Sequence, residues 1–308
     1  MKIVFLDRAS LGDASLKPIE ALGELVCYDT TSPEACVARI ADAEVIITNK
    51  VRIFRPEMEA APHLKLICIA ATGMNNVDLE AARERGIEVK NVAGYSTESV
   101  VQTTFAHLLT LVGRLPYFDQ RVKSGEYSQG SLFTDMGRSF WELNGKRMGI
   151  IGLGTIGRRV AELSEAFGME VVYYATSGRP HDDHFRAVSL EELLSTSDVV
   201  SIHAPLNERT AGLIAAKELQ QMRPSAILLN AGRGGIVDEA ALAEALNRGE
   251  IAGAGLDVYC QEPLPATSPL LRIKEPERIS LTPHTAWASA EARARLVAGI
   301  AENIKSIK

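Results

Sequence analysis

The 308-residue chain has few cysteines, no basic cluster and no long apolar segment. No apolar stretch approaches the ~20 residues that a membrane helix needs, and residues 1–7 resemble the start of a strand rather than a secretory leader. The cysteines show no C-x-x-C spacing, and most lie in or beside apolar runs: Cys27, Cys36, Cys68 and Cys260. This pattern favours reduced, packed thiols over a disulfide framework. We therefore expect a cytoplasmic protein with no membrane partner.

Positive charge is neither dominant nor clustered. The formal net charge is -6, and no segment is dense in Lys or Arg. Proteins that bind nucleic acid or anionic membranes usually present a basic surface. We therefore expect a small, diffusible ligand and no nucleic acid. No metal site is expected either.

What the sequence does contain is an alternation of short β-rich runs and helical patterns. Apolar runs such as Val45–Thr48 and Leu66–Ile69 are separated by helix-like stretches such as Asp78–Arg85, and the same alternation resumes after residue 146. Strands that alternate with helices indicate parallel α/β sheets. The length suits about two domains, and 46% hydrophobic residues are enough for two cores.

The middle of the chain departs from this alternation. Residues 97–123 are predicted as one long helix, whose broad apolar face indicates burial on several sides. Residues 124–141, rich in glycine, serine and aromatic residues, follow as a predicted interface arm.

A glycine-rich turn between a predicted strand and a predicted helix is the first candidate site. The stretch Lys146–Arg158 places Gly152, Gly154 and Gly157 in a G-x-G-x-x-G pattern. In such turns the first glycine permits the tight turn, the second lets the backbone approach a pyrophosphate, and the third lets the helix approach the strand. The first helical N–H groups, around Thr155 and Ile156, would face the anion.

The loop after the second strand of this unit bears on the cofactor form. Dinucleotide folds usually carry an acid there, which binds the ribose hydroxyls and repels a 2′-phosphate. Here Ala175 takes that place, followed by Thr176, Ser177 and Arg179. Such a loop can accept a 2′-phosphate, so NADPH is favoured over NADH. The alternative is that Arg179 is solvated and the site accepts both cofactors.

Three later residues form a candidate reacting set at the carboxyl ends of predicted strands. Arg233 can hold a carboxylate and polarise a carbonyl, His284 can deliver a proton, and Glu262 can stabilise the imidazolium form of His284. Taken singly, each has a structural explanation: a surface charge, a packed histidine and a loop acid. Because all three follow strand ends of a sheet with a nucleotide turn, we favour carbonyl reduction.

With these motifs, the chain resembles the D-2-hydroxyacid dehydrogenases over essentially its whole length. The resemblance is carried in order by Gly152–Gly157, Asn230–Gly234, Asp257–Val258, Glu262–Pro263 and Pro283–His284. It implies two Rossmann-like, doubly wound parallel-sheet domains with a cleft between them. Residues 1–97 plus 286–308 would form the substrate domain, of flavodoxin-like type, and residues 98–285 the dinucleotide-binding domain. Family members are usually dimers through the latter, so a homodimer is expected.

The resemblance also implies roles for individual residues. Arg233, Glu262 and His284 would be catalytic, and Asp257 would bind the nicotinamide carboxamide. Backbone N–H groups of the loop Ala71–Thr72–Gly73 would bind the substrate carboxylate, and Arg233 and His284 would also contact the substrate. The remaining expected cofactor contacts are Gly152, Gly154, Thr155, Ile156, Gly157, Thr176, Ser177, Arg179, His203, Ala204, Pro205, Thr210, Asn230, Ala231 and Gly232.

Within the family, the segments 70–78 and 91–99 are most similar to glycerate dehydrogenases, also called hydroxypyruvate reductases. Ala175 departs from the NAD-using members of that group, which carry an acid there. The expected activity is NAD(P)H-dependent reduction of hydroxypyruvate or glyoxylate. The alternative from another class is a dinucleotide-sensing binding protein resembling the corepressors that share this fold.

Overall fold

The computed structural model describes residues 1–180, 182 and 184–307, which form two compact units. Unit 1 comprises Met1–Ser96 with the segment from Ala288 to the end of the chain, and unit 2 comprises Thr97–Trp287. The strands in chain order are β1 Lys2–Phe5, β2 Glu24–Cys27, β3 Val45–Thr48, β4 Leu66–Ile69, β5 Glu88–Lys90, β6 Arg147–Ile151, β7 Glu170–Tyr174, β8 Arg186–Ala187, β9 Val199–Ile202, β10 Ile227–Asn230, β11 Gly253–Leu256 and β12 Ile279–Leu281.

Short helices connect most of these strands. The α-helices are α1 Lys17–Glu20, α2 Pro33–Ile40, α3 Arg55–Glu59, α4 Leu79–Glu84, α5 Thr97–Val112, α6 Leu115–Lys123, α7 Thr155–Ala166, α8 Leu190–Thr196, α9 Ala216–Gln221, α10 Glu239–Arg248 and α11 Ala290–Lys305. Among the described residues, no helix combines the length and the apolar character needed to cross a bilayer.

Unit 1 is built on a five-stranded sheet with the order β2-β1-β3-β4-β5, in which every neighbouring pair is parallel. All four residues of β3 and of β4 are buried, as expected for parallel strands covered on both faces. Helix α11 returns to this unit, where Gly299 lies against Val92 and Asn303 donates from Nδ2 to the Asn91 carbonyl at 3.0 Å. Two distant parts of the chain therefore share one core.

Unit 2 contains a seven-stranded parallel sheet with the order β12-β11-β10-β9-β6-β7-β8. One buried cluster contains Leu108 of α5 and Val160 of α7, and the other contains Leu193 of α8 and Leu242 of α10. Helices thus cover the sheet in two layers. The predicted fold class, two parallel-sheet α/β domains, is confirmed.

The long helix predicted from the sequence is interrupted at one point. Helix α5 ends at Val112, and α6 begins at Leu115. Between them Arg114 adopts a left-handed conformation with φ of 52°, and Pro116 follows within the first turn of α6. Since Pro116 has no N–H to donate to the carbonyl four residues earlier and its ring would clash with that carbonyl, a continuous helix is disfavoured, and the prediction of one helix over 97–123 is wrong at residues 113–114.

The thiols are all free, but only half of them are packed. Cys36 and Cys68 are buried, whereas Cys27 and Cys260 are exposed. Burial raises the pKa of Cys36 to about 11 and that of Cys68 to about 12. The buried pair therefore stays protonated and behaves as apolar packing.

Candidate active site

The predicted glycine turn lies where the strand order of unit 2 reverses. Strand β6 is followed in the sheet by β7 on one side and by β9 on the other. In open α/β sheets, ligands bind in the crevice at the carboxyl ends of the strands flanking such a switch point. The turn after β6 and the residues after β9, beginning with His203, are therefore the expected walls of a ligand site.

Each glycine of the turn has a different structural role. Gly152 has φ of +91°, and an added Cβ would lie 2.9 Å from the Ala204 backbone. A Cβ on Gly157 would overlap the Gly152 carbonyl oxygen, so its absence lets α7 approach the turn. Beside Gly154 an added Cβ would meet nothing within 4 Å. This open position stands at the beginning of the 12-residue helix α7, whose first N–H groups have no partner within the helix. The turn therefore fits a pyrophosphate.

A cavity of about 780 Å³ extends from this turn. Six residues predicted as cofactor contacts line it, and they are Gly152, Gly154, Thr176, Ser177, His203 and Pro205. Arg179, Ala204 and Thr210 do not line this cavity, although they belong to the loops around it. Thr210 is fully buried, and its hydroxyl donates to the Pro205 carbonyl at 2.6 Å. The Thr210 side chain thus stabilises the loop to which it belongs.

His203 is neutral at physiological pH. Its backbone N–H donates to the Ile151 carbonyl at 2.9 Å, and its Nε2 lies 2.8 Å from Ser201 Oγ. Burial lowers the pKa of His203 to about 4, because a low-dielectric environment disfavours the charged ring. The ring therefore presents a neutral, largely apolar wall to the cavity.

The predicted reacting groups follow β10, β11 and β12 at the same edge of the sheet. Asn230 ends β10, where its side chain accepts from Gly232 N at 3.0 Å and donates to the Arg233 carbonyl at 2.9 Å. These bonds shape the turn that carries the predicted residues Ala231 and Gly232. The Arg233 side chain is exposed, and its Nη1 donates to the Gly232 carbonyl at 2.7 Å.

His284 and Glu262 form a direct pair. His284 Nδ1 lies 2.7 Å from Glu262 Oε2, and both side chains are about one-third exposed or less, at 27% and 33%. The other carboxylate oxygen of Glu262 accepts from Tyr259 N at 3.0 Å, which fixes the acid. Because Nδ1 is engaged by the carboxylate, Nε2 is the nitrogen that can exchange a proton with a substrate.

The Asp257 carboxylate is almost fully buried, at 1% exposure. Its Oδ1 accepts from the Thr282 hydroxyl at 2.6 Å and from Thr285 N at 2.9 Å, and its Oδ2 accepts from Ala286 N at 2.9 Å. A carboxylate offers about four acceptor positions, so one more donor can be accommodated. The carboxyl group thereby anchors the turn on both sides of His284.

His107, which the sequence patterns did not single out, extends this network to helix α5. It is 4% exposed, with Nδ1 2.7 Å from Ser280 Oγ and Nε2 3.0 Å from Thr282 Oγ1. Burial lowers the pKa of His107, so the ring is neutral. Since the Thr282 hydroxyl donates to Asp257, its oxygen accepts from Nε2–H, and Nδ1 accepts from Ser280. No spacing signal reveals a residue of this kind, because its partners lie about 170 positions away.

The loop predicted to bind the substrate carboxylate belongs to unit 1. Ala71, Thr72 and Gly73 follow β4 by two residues, and the Thr72 carbonyl accepts from Asn91 Nδ2 at 2.6 Å. Val92 N donates to the Ala71 carbonyl at 3.3 Å. The loop is therefore held at the carboxyl end of its own sheet, which is the ligand-binding edge of a parallel sheet.

A glycine turn of the dinucleotide-binding type and a histidine–carboxylate pair at one sheet edge are typical of nicotinamide-dependent oxidoreductases. The model of the family "D-isomer specific 2-hydroxyacid dehydrogenase, NAD binding domain" matches residues 105–286. The chain belongs to this family and is an NAD(P)-dependent oxidoreductase of its 2-hydroxy acid class. The resemblance noted from the motifs is thereby confirmed.

The chain is similar to several relatives over nearly its full length. It is 39% identical to a hydroxypyruvate reductase of Blautia hydrogenotrophica, over 96% of this chain and 94% of that protein. It is 37% identical to a glycerate dehydrogenase of Methylorubrum extorquens, over 99% and 95% of the two chains. Among solved structures, D-lactate dehydrogenase from Aquifex aeolicus complexed with NAD and lactic acid matches with a TM-score of 0.83 and 30% identity, covering 100% and 94%.

Proposed function

We propose that the protein reduces a small 2-keto acid, hydroxypyruvate or glyoxylate, to the D-2-hydroxy acid, with NADPH preferred over NADH. The observation that carries the proposal is the 2.7 Å contact between His284 Nδ1 and Glu262 Oε2 at the strand-end edge that also bears Arg233. The names of the two relatives above support this substrate class. We propose Arg233, Glu262 and His284 as the catalytic residues.

The roles follow from the chemistry of each group. When bound, the reduced nicotinamide would supply the hydride for the carbonyl carbon. His284 donates the Nε2 proton to the carbonyl oxygen, while Glu262 stabilises the imidazolium before that transfer. Arg233 binds the substrate carboxylate and, because its guanidinium presents several donors, also polarises the carbonyl. One hydride and one proton together convert the ketone into an alcohol.

The residues around the glycine turn are proposed to hold the dinucleotide. The open position at Gly154 and the N–H groups of Thr155, Ile156 and Gly157 suit the pyrophosphate. Asp257, with one acceptor position to spare, suits the nicotinamide carboxamide. NADPH is favoured because Ala175 offers no carboxylate to repel a 2′-phosphate, and Thr176 and Ser177 line the cavity.

The loop Ala71–Thr72–Gly73 is proposed to bind the substrate carboxylate through backbone N–H groups. Its support within unit 1 is the bond from Asn91 Nδ2 to the Thr72 carbonyl. This bond fixes the orientation of the peptide between Thr72 and Gly73, so the N–H of Gly73 points away from Asn91.

We also propose that the protein is a cytoplasmic homodimer whose interface includes the arm, residues 124–141 of unit 2. Phe133 and Met136 are 91% and 82% exposed, and Leu132 and Phe140 are 69% and 62% exposed. Such a concentration of exposed large apolar side chains is typical of a contact surface. The free thiols of the chain suit a reducing compartment.

The experiment that tests the activity is steady-state oxidation of NADPH and NADH over a panel of 2-keto acids. We expect turnover with hydroxypyruvate or glyoxylate and a higher kcat/KM with NADPH. Binding of a dinucleotide without turnover of any keto acid would instead support the sensing protein. A higher kcat/KM with NADH would contradict the cofactor preference alone.

A further inference from the structure

The loop after β9 carries an arginine whose backbone is held rigidly beside the cofactor cavity. Arg209 N donates to Asn207 Oδ1 at 2.9 Å, and Asn207 N donates to Thr210 Oγ1 at 2.9 Å. The backbone N–H groups of Thr210 and Ala211 both donate to the Asn207 carbonyl, at 3.0 and 2.8 Å. With Thr210 fully buried, this turn fixes the direction in which the Arg209 side chain leaves the loop.

The side chain of Arg209 reaches the turn that follows β7. Its Nη1 donates to the Ser177 carbonyl at 2.7 Å. That turn is closed by Gly178 N, which donates to the Ala175 carbonyl at 2.9 Å. In the part of the chain that the structure describes, the bond to Ser177 is the one hydrogen bond of the guanidinium. Since a guanidinium has five N–H donors, the others remain available to a ligand.

Arg209 and Ser177 line the same cavity as Gly152 and Gly154. In a dinucleotide fold the pyrophosphate lies on the glycine turn, and the adenosine ribose lies at the end of the second strand. That strand is β7 here. The Arg209 guanidinium therefore stands at the ribose end of the cavity, although it is 32 residues beyond Ser177 in sequence.

We propose that Arg209 binds the 2′-phosphate of NADPH and is the main specificity-determining residue of the site. The inference rests on the NADPH preference proposed above and assigns it to a loop other than the one after β7. A guanidinium and a phosphate form paired, charge-assisted hydrogen bonds. Arg179, the arginine of the β7 loop, does not line the cavity, so its contribution is smaller.

One neighbouring charge opposes this assignment. Glu208 lines the same cavity, and a carboxylate there repels a phosphate or accepts a bond from a ribose hydroxyl. The attraction of the phosphate by Arg209 exceeds its repulsion by Glu208, because a hydrogen bond holds the Arg209 guanidinium at Ser177 and so places positive charge at the turn itself. Replacement of Glu208 separates the two effects.

The test compares kcat/KM for NADPH and NADH in the wild type, Arg209→Ala, Arg209→Lys, Arg179→Ala and Glu208→Gln. Arg186→Ala, which removes an exposed arginine paired with Glu192 outside the cavity, is the matched control. A second measurement, calorimetric binding of adenosine 2′,5′-bisphosphate and of ADP, reports on the 2′-phosphate without turnover.

We expect Arg209→Ala to lower kcat/KM for NADPH by roughly tenfold to a hundredfold, as for loss of a charge-assisted hydrogen bond. The kcat/KM for NADH should be nearly unaffected. The variant should bind the bisphosphate more weakly than the wild type does, whereas its affinity for ADP should be unchanged. Lysine should restore part of the loss, since it keeps the charge but not the paired donors. Glu208→Gln should leave kcat/KM for NADPH unchanged or raise it.

The inference is overturned if Arg209→Ala weakens both cofactors equally, which would make the residue a support for the Ser177 turn. It is also overturned if Arg179→Ala, rather than Arg209→Ala, lowers kcat/KM for NADPH. The same holds if Glu208→Gln selectively lowers kcat/KM for NADH while Arg209→Ala has no effect. If the wild type prefers NADH, the proposed cofactor preference is wrong. The Arg209 inference is judged separately, by whether Arg209→Ala lowers the ratio of kcat/KM for NADPH to kcat/KM for NADH.

Discussion

His284 combines a special backbone conformation with a fixed ring. Its φ of 52° lies in the left-handed region, and Glu262 holds Nδ1 while Asp257 accepts from the next two backbone N–H groups. Few side chains other than asparagine and aspartate tolerate this region. The variant that removes the imidazole with the least backbone strain is therefore His284→Asn.

We expect His284→Asn to lower kcat by about 10²-fold or more, the usual contribution of a general acid, with little change in the dissociation constant of NADPH. Glu262→Gln keeps an acceptor for Nδ1–H but lacks the charge, so its kcat should fall less. Steady-state kinetics and fluorescence titration measure both quantities. Loss of cofactor binding or of the fold in His284→Asn would show that His284 is a packed histidine.

His203 makes stability depend on pH. Its pKa is about 4 in the folded protein and about 6.5 in an unfolded chain, so between these values the unfolded state binds the extra proton. Its contribution is complete above about pH 6.5 and is lost as the pH falls towards 4. We expect the free energy of unfolding at pH 5 to be ~1–2 kcal/mol lower than at pH 7 from this group.

Urea unfolding at both pH values measures this difference. His203→Gln removes the titrating ring and should reduce the loss of stability between pH 7 and pH 5. His63→Gln, at an exposed position, is the matched control and should leave the loss unchanged. Equal pH dependence in the wild type and in His203→Gln would contradict the assignment.

At the scale of secondary structure, the site depends on how closely α7 approaches β6. The two glycines at this junction differ in what surrounds them. Gly157 faces the Gly152 carbonyl oxygen and the Ile150 side chain, whereas Gly154 faces open space. Gly157 therefore lets the helix pack closely, and Gly154 leaves the open space that we propose for the ligand.

Matched alanine variants separate the two roles. Gly157→Ala should lower the Tm, because its Cβ overlaps backbone that cannot move without shifting α7, and overpacking costs about 1–3 kcal/mol. Gly154→Ala should keep the Tm but weaken cofactor binding by tenfold or more, about 1.4 kcal/mol, since its Cβ would occupy the approach to the pyrophosphate. Thermal unfolding and dinucleotide titration distinguish them. Unchanged affinity in Gly154→Ala would place the pyrophosphate elsewhere.

At the scale of the whole molecule, the arm leaves apolar surface that a single chain does not cover. Phe133 and Met136 are among the most exposed large hydrophobic residues of the structure. Removing apolar area from water is worth about 25 cal/mol per Å², which offsets part of the cost of association, so we expect these side chains to be contacts of a second copy.

We expect the wild type to be a dimer by light scattering at micromolar concentration, and the double variant Phe133→Ser/Met136→Ser to be a monomer or a weakened dimer. Leu271→Ser is the control, because Leu271 is 54% exposed but lies outside the arm. A monomeric wild type would contradict the proposed homodimer. A double variant as dimeric as the wild type would remove the arm from the interface.

The sequence by itself determined the fold class, the glycine turn and the candidates for the reacting groups. These features are local: buried parallel strands are continuous apolar runs, and a positive φ such as that of Gly152 demands glycine. Arg233, Glu262 and His284 could be named because each follows a strand end, and parallel strands end at one edge. The break between α5 and α6 was also encoded locally, by Pro116, but the apolar pattern on both sides concealed it.

Only the tertiary structure decided which side chains meet. Arg209 reaches Ser177 because β7 and β9 flank the same central strand, and this neighbourhood depends on strand order rather than on spacing. His107 reaches Thr282 across 175 positions because α5 packs on the sheet where Gly255 has no side chain to keep it away. Such contacts depend on the register of distant elements, which a local pattern of residues does not contain.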